Sequence, residues 1–157
     1  MSAEPRRVEL RLASRIENVD LGEELARQVA GVAGFDEDEQ YKISMSVREC
    51  LINALKHGNR GDQSKSMRLN LLLHPDRLEV QVGDQGAGFS LEGIPDPLAD
   101  ENLLKGSGRG LFLVRCFMDN LAVETPADGG ALVTMSKRYS SNHNKSAESN
   151  AKKEKRK

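Results

Sequence analysis

The chain has 157 residues, 38% of them hydrophobic, and a net charge of −1, which suits one domain with a real core but not comfortably two. No apolar run approaches the roughly 20 residues that cross a bilayer, and the opening "MSAEPRRVEL" lacks the apolar centre and cleavage site of a signal peptide. The acidic body has no basic stripe with interleaved aromatics, which argues against direct nucleic-acid binding.

In chain order, "RRVELRLAS" alternates Val8, Leu10 and Leu12 with polar partners and predicts a half-buried strand. "NVDLGEELARQVAGVAG" predicts a helix with Val19, Leu25, Val29 and Val32 near helical spacing and Gly34 as its stop. "DEDEQYKISMSVRECLINALKHGN" predicts the longest helix. Acids fill its first turn, Ile43, Val47, Leu51, Ala54 and Leu55 form its apolar face, and Gly58-Asn59 ends it. "MRLNLLLH" and "RLEVQVGD" read as strands joined by a Pro75-Asp76 hairpin turn.

"QGAGFSLEGIPDPLADENLLKGSGRG" is then about 26 residues rich in Gly, Pro and acids, and a loop this long inside a compact domain is expected to be functional. "LFLVRCFMD" reads as a short apolar helix, and "NLAVET" and "GGALVTMSKR" as a last strand pair around "PADGG". This order predicts an α+β two-layer sandwich with a mostly antiparallel sheet. Residues 1–139 are expected to form the domain. Residues 140–157 hold six Lys/Arg and two Glu, giving +4 and leaving −5 on the body, with no aliphatic residue larger than Ala. That composition predicts a disordered, chiefly solubilising basic tail. Cys50 and Cys116 have no metal-ligand spacing and are expected to be buried reduced thiols in a cytoplasmic protein.

Three stretches carry chemistry. In "ECLINALKHGN", Glu49, Asn53, Lys56 and His57 follow i, i+4, i+7, i+8 and form one polar stripe on an otherwise apolar helix. Taken alone, the stripe also fits a solvated helix edge. In "GDQGAGFS", Asp84 ends a strand, with Gly86, Gly88 and Phe89 after it. Such glycines let backbone approach a ligand, and the Asp can accept from an amino group on a flat heterocycle. In "KGSGRGLFLV", Gly106, Gly108 and Gly110 run into a helix, gathering free N–H groups where an anion is favoured, with Lys105 and Arg109 adding charge. A plain flexible loop before a helix fits that third stretch equally. There is no Walker A loop, dinucleotide fingerprint, nucleophile elbow or His-based metal spacing.

Together, "E-x-x-x-N-A-x-x-H-G-N", "D-x-G-x-G-F" and "G-x-G-x-G-L" before a helix resemble the N, G1 and G2 boxes of the GHKL (Bergerat) ATP-binding fold, with its helices on one sheet face. The compact size, "NALKHGN" and "GGALVTMSKR" are similar to the anti-sigma-factor serine/threonine kinases, relatives of the anti-sigma-F and anti-sigma-B factors, over about residues 8–138. The resemblance implies ATP and Mg²⁺ as cofactors, with Asn53 holding the metal and Glu49 as general base. It implies Asp84 on the adenine amino group, Gly86, Gly88 and Phe89 around the base, and Gly106, Ser107, Gly108, Arg109, Gly110 and Leu111 at the phosphate lid. Lys56, His57 and Thr134 are secondary cofactor contacts.

The chain departs from the wider family in two places, one of them the stretch between Phe89 and Gly106, which is short and acidic where the wider GHKL group has a longer lid. In the other, Ala131 stands where the family often has Thr, and Thr134 lies further along. The implied partners are a STAS-type anti-anti-sigma protein, a sigma factor and a second copy of the chain. A non-catalytic ATP-binding partner-switching module is the alternative function. The ATP-binding half of a sensor kinase fits less well, because the dimerisation helix pair is missing.

Overall fold

The structure is a computed structural model that describes residues 4–88 and 109–140. The expected lid residues Phe89, Gly106, Ser107 and Gly108 and all of the basic tail after Ser140 lie outside the described residues. Five strands, β1 (Arg6–Ala13), β2 (Ser66–Leu73), β3 (Arg77–Gly83), β4 (Asn120–Glu124) and β5 (Leu132–Arg138), form one antiparallel sheet in the order β1-β2-β3-β5-β4. Among the described residues three helices, α1 (Ile16–Ala33), α2 (Glu37–Asn53) and α3 (Arg109–Phe117), join the sheet in an α+β fold, with α2 packed between α1 and α3.

Strand alternation sorts the sheet into a dry face and a polar one. Leu12, Met67, Leu69, Leu71, Leu78, Val80, Val82, Val133 and Met135 all enter the core cluster with the buried residues of the helices. The register stacks Leu10 beside Leu69, Leu69 beside Val82 and Val82 beside Val133, so one apolar row crosses four strands. The intervening positions, among them Arg11, Arg68, Asn70 and Gln81, take the other face. The β2–β3 hairpin closes at Pro75-Asp76, where the His74 N–H donates to Arg77 O at 2.9 Å.

Helix α1 differs from the sequence expectation. Val19 is buried, but Leu25 and Val29 are half-buried and Val32 is 75% exposed. The buried face is instead Val19, Gly22, Ala26, Ala30 and Ala33. Small residues win because α1 lies close to its neighbours: a Cβ on Gly22 would meet Leu51 Cδ1 at 2.5 Å and Leu69 Cδ2 at 3.4 Å. Arg48 of α2 fixes the pair by donating to Asp20 at 2.6 Å and Glu23 at 2.8 Å. Gly34 ends α1 at φ 97°, in the left-handed region.

Helix α2 starts where Asp36 accepts from the Glu39 N–H at 2.8 Å, a side-chain cap. Its buried Ser44 and Ser46 hydroxyls donate to the carbonyls of Tyr41 and Lys42, at 2.9 and 2.8 Å, so neither is an unpaired polar group in the core. The expected helix does not run unbroken to Gly58. After Asn53 it widens into a π-helical turn, Ala54–Gly58, closed by Asn59 N–H to Ala54 O at 2.7 Å. The cysteine expectation holds for Cys50, which is buried, and fails for Cys116, which is exposed on α3 because that short helix buries only Leu111 and Val114.

Candidate functional site

The ends of β1 and β3 and the starts of β2 and β5 lie at one end of the sheet, since Ala13 pairs with Ser66 and Gly83 pairs with both Arg68 and Leu132. Asp84 leaves β3 at this end and is only 6% exposed. Its carboxylate Oδ1 accepts from Gly86 N–H at 2.8 Å and Ala131 N–H at 3.2 Å, while its own N–H donates to Ala131 O at 3.0 Å. The other oxygen, Oδ2, faces the backbone of Gly58, where a Cβ would overlap the carboxyl group. Two more glycines serve the same approach. A Cβ on Gly86 would overlap Gly58 O, and one on Gly130, at φ 76°, would overlap Asp84 O. A buried carboxylate with one oxygen committed to backbone donors and the other open over a glycine suits one amino donor on a flat ligand.

Glu49 and Asn53 are half-buried and one turn apart on α2. Neither makes a hydrogen bond or ion pair to a described residue. Gly110, in the first turn of α3, lies against Glu49, and a Cβ there would meet Oε2 at 2.5 Å. The carboxylate therefore sits beside a helix start that has no side chain in the way, where N–H dipoles favour negative charge. A carbonyl and a carboxylate oxygen one turn apart are hard donors of the kind Mg²⁺ accepts alongside its waters and a ligand's phosphates. Among the described residues no group of three or more His, Cys, Asp or Glu could hold a metal by itself.

The remaining predicted residues are placed as follows. Gly88 has φ 82° and packs towards Gly130 and Thr125. Arg109 is exposed at the start of α3, and Leu111 is buried two residues on, outside the main core cluster. Lys56 and His57 are exposed on the π turn. Lys56 lines a different cavity, of about 490 Å³, shared with Ser14, Arg15 and Arg60 and with none of Glu49, Asn53, Asp84 or Gly86. The wider turn breaks the stripe, because π geometry does not keep the 3.6-residue period that aligned positions 56 and 57 with 49 and 53. Thr134 is not brought to Asp84. It lies between core residues Val133 and Met135 and so takes the opposite sheet face, paired with Gln81 and Ala122.

Three residues escaped the sequence reading. Gly58 and Gly130 make the room that Asp84 uses. Asn59, 1% exposed, bonds to Ser14, Ser66 and Gln85 rather than merely ending a helix. The signal for Asn59 was a polar residue directly after a helix-ending glycine, a position that also suits an ordinary turn.

The histidine kinase-like ATPase domain model matches residues 12–137. The chain is similar to the serine-protein kinase RsbW of Listeria monocytogenes, at 32% identity over 93% of this chain and 94% of that protein. The serine-protein kinases RsbW of Listeria innocua and Halalkalibacterium halodurans are 30% and 29% identical. The first covers 93% of this chain and 94% of the relative, the second 85% and 84%.

Proposed function

The chain belongs to the histidine kinase-like ATPase domain family, and on that premise we propose that it is an ATP-dependent serine/threonine protein kinase and anti-sigma factor. It phosphorylates a Ser or Thr of a STAS-type anti-anti-sigma partner and governs a sigma factor by partner switching. The observation that supports this reading is Asp84, half-committed to backbone donors over Gly58, together with Glu49 beside Gly110 in the first turn of α3.

In this reading Asp84 Oδ2 accepts from the exocyclic amino group of adenine. Asn53 would hold a Mg²⁺ ion, which would supply neutralisation of the phosphate charge. Glu49 takes the proton of the incoming hydroxyl as its oxygen attacks the terminal phosphorus, and the bond to ADP breaks with its electron pair staying on ADP. Gly106, Ser107, Gly108 and Gly110 are the proposed backbone contacts to the triphosphate, and Arg109 adds positive charge there. The catalytic domain is residues 1–139. The protein works in the cytoplasm as a homodimer. Among the described residues no helix is long and apolar enough to cross a membrane.

The test is incubation with Mg-ATP labelled on its terminal phosphate and the host's own STAS-domain proteins. The expected result is label on a partner Ser or Thr that disappears with Glu49→Ala. ATP binding without labelling of any partner would instead favour the non-catalytic partner-switching module.

A further inference from the structure

Asn59 closes a ring of hydrogen bonds that involves three chain segments. Its Nδ2 donates to Ser66 O at 3.0 Å, Ser66 N–H donates to Gln85 Oε1 at 2.8 Å, and Gln85 N–H donates back to Asn59 Oδ1 at 2.8 Å. A further bond leaves the ring, from Asn59 Nδ2 to Ser14 Oγ at 2.7 Å. The amide is thus held at both ends in a 1% exposed site. The π turn delivers it there: Asn59 N–H reaches back to Ala54 O at 2.7 Å, and Leu55 O is taken by Gly61 N–H at 2.8 Å.

The ring grips Gln85, the residue next to Asp84, while the far side of the same short turn is held by Gly130 N–H to Gly86 O at 3.0 Å. Asp84 is therefore placed from two sides. Ala131 and Gly86 fix Oδ1, and the ring fixes how far the turn stands from Gly58, over which Oδ2 is open. We propose that Asn59 is a positioning residue for nucleotide selectivity. Through Gln85 it sets the distance at which Asp84 reads the amino group of the base, without touching the ligand itself. This rests on the nucleotide reading given above and deepens it.

The Asn59→Ala change removes the acceptor of the Gln85 N–H and the donor to Ser66 O and Ser14 Oγ, a loss expected to be roughly tenfold in an equilibrium the ring controls. The informative readout is the ratio of affinities for ATP and inosine triphosphate, which lacks the amino group. On the full-length protein, Asn59→Ala is expected to weaken ATP binding by roughly tenfold while leaving inosine triphosphate nearly unchanged, so that discrimination collapses. Gln85→Ala, at an exposed position, opens the ring without emptying the core and is expected to lower the ratio by about threefold, within the range of one modest hydrogen bond. Ser14→Ala removes the bond outside the ring. It should lower the melting temperature and leave the ratio alone.

Wild-type discrimination in a folded Asn59→Ala protein overturns the proposal. If that variant does not fold, wild-type discrimination in Gln85→Ala overturns it, and so does an equal fall of the ratio in Ser14→Ala. A wild-type protein that binds ATP and inosine triphosphate alike, or neither, sinks the adenine reading of Asp84 together with this inference, which separates that failure from a failure of Asn59 alone.

Discussion

Helix α2 has two flanks, and glycine works differently on each. Against α1, Gly22 is a packing device that lets two helices and the sheet approach until Leu51 and Leu69 fill the space. The charged groups that join the two helices are kept at the rim, as in the pairs Arg48 makes with Asp20 and Glu23. Against α3 and the sheet end, Gly58 and Gly110 border the carboxylates of Asp84 and Glu49 instead of methyl groups, while Gly86 and Gly130 let backbone close in around Asp84. There the missing side chains leave Asp84 and Glu49 room to act on something other than the protein. A close-packed interior uses missing Cβ atoms to remove space, and a binding site uses them to keep it.

The largest expected effect is on chemistry. Glu49→Ala on the α3 flank should lower phosphoryl transfer by roughly a hundredfold or more, the usual scale for a general base. Its ATP affinity should stay within a few-fold, read from single-turnover labelling beside equilibrium titration. Next comes Gly22→Ala on the α1 flank, expected to lose about 1–3 kcal/mol of stability by overpacking. Urea denaturation should report that loss with ATP affinity unchanged, and a change in ATP affinity would erase the contrast between the flanks. Asp36→Ala should cost about 1 kcal/mol through the lost cap, again without touching nucleotide binding.

The smallest effect concerns pH. Burial first, and the charge of Glu49 second, push the Cys50 thiol from 9.0 up to about 12. The folded state therefore keeps this proton to higher pH than the unfolded chain does, so its contribution is intact below pH 9 and is lost as pH rises towards 12. The urea midpoint of the wild type should fall more steeply over that window than that of Cys50→Ala. Thiol labelling of the folded protein should modify exposed Cys116 first.

Much of the fold was legible because strand alternation and helix stops are local. Val8, Leu10 and Leu12 gave the first strand its face, and Gly34 marked the end of α1. The inward face of α1 was not legible: large residues at helical spacing outshone the small ones that close approach selects. The same limit hid the π turn, since a 3.6-residue wheel assumes the regularity that Ala54–Gly58 breaks. It therefore put Lys56 and His57 in line with Glu49. In the candidate site, Asp84, Glu49 and Asn53 were singled out by the order of their motifs along the chain, whereas Gly58, Asn59 and Gly130 make contacts that exist only after folding. Thr134 could have been set aside from the sequence, because period-two alternation with Val133 and Met135 already turns it to the other face.

The most direct test of the account is a Mg-ATP titration of the wild type, Gly58→Ala and Gly22→Ala, each checked for folding by thermal denaturation. The account predicts that Gly58→Ala, whose new methyl meets the Asp84 carboxyl, loses at least roughly tenfold in ATP affinity, or about 1.4 kcal/mol, while Gly22→Ala loses stability alone. Wild-type ATP affinity in a folded Gly58→Ala protein would contradict it.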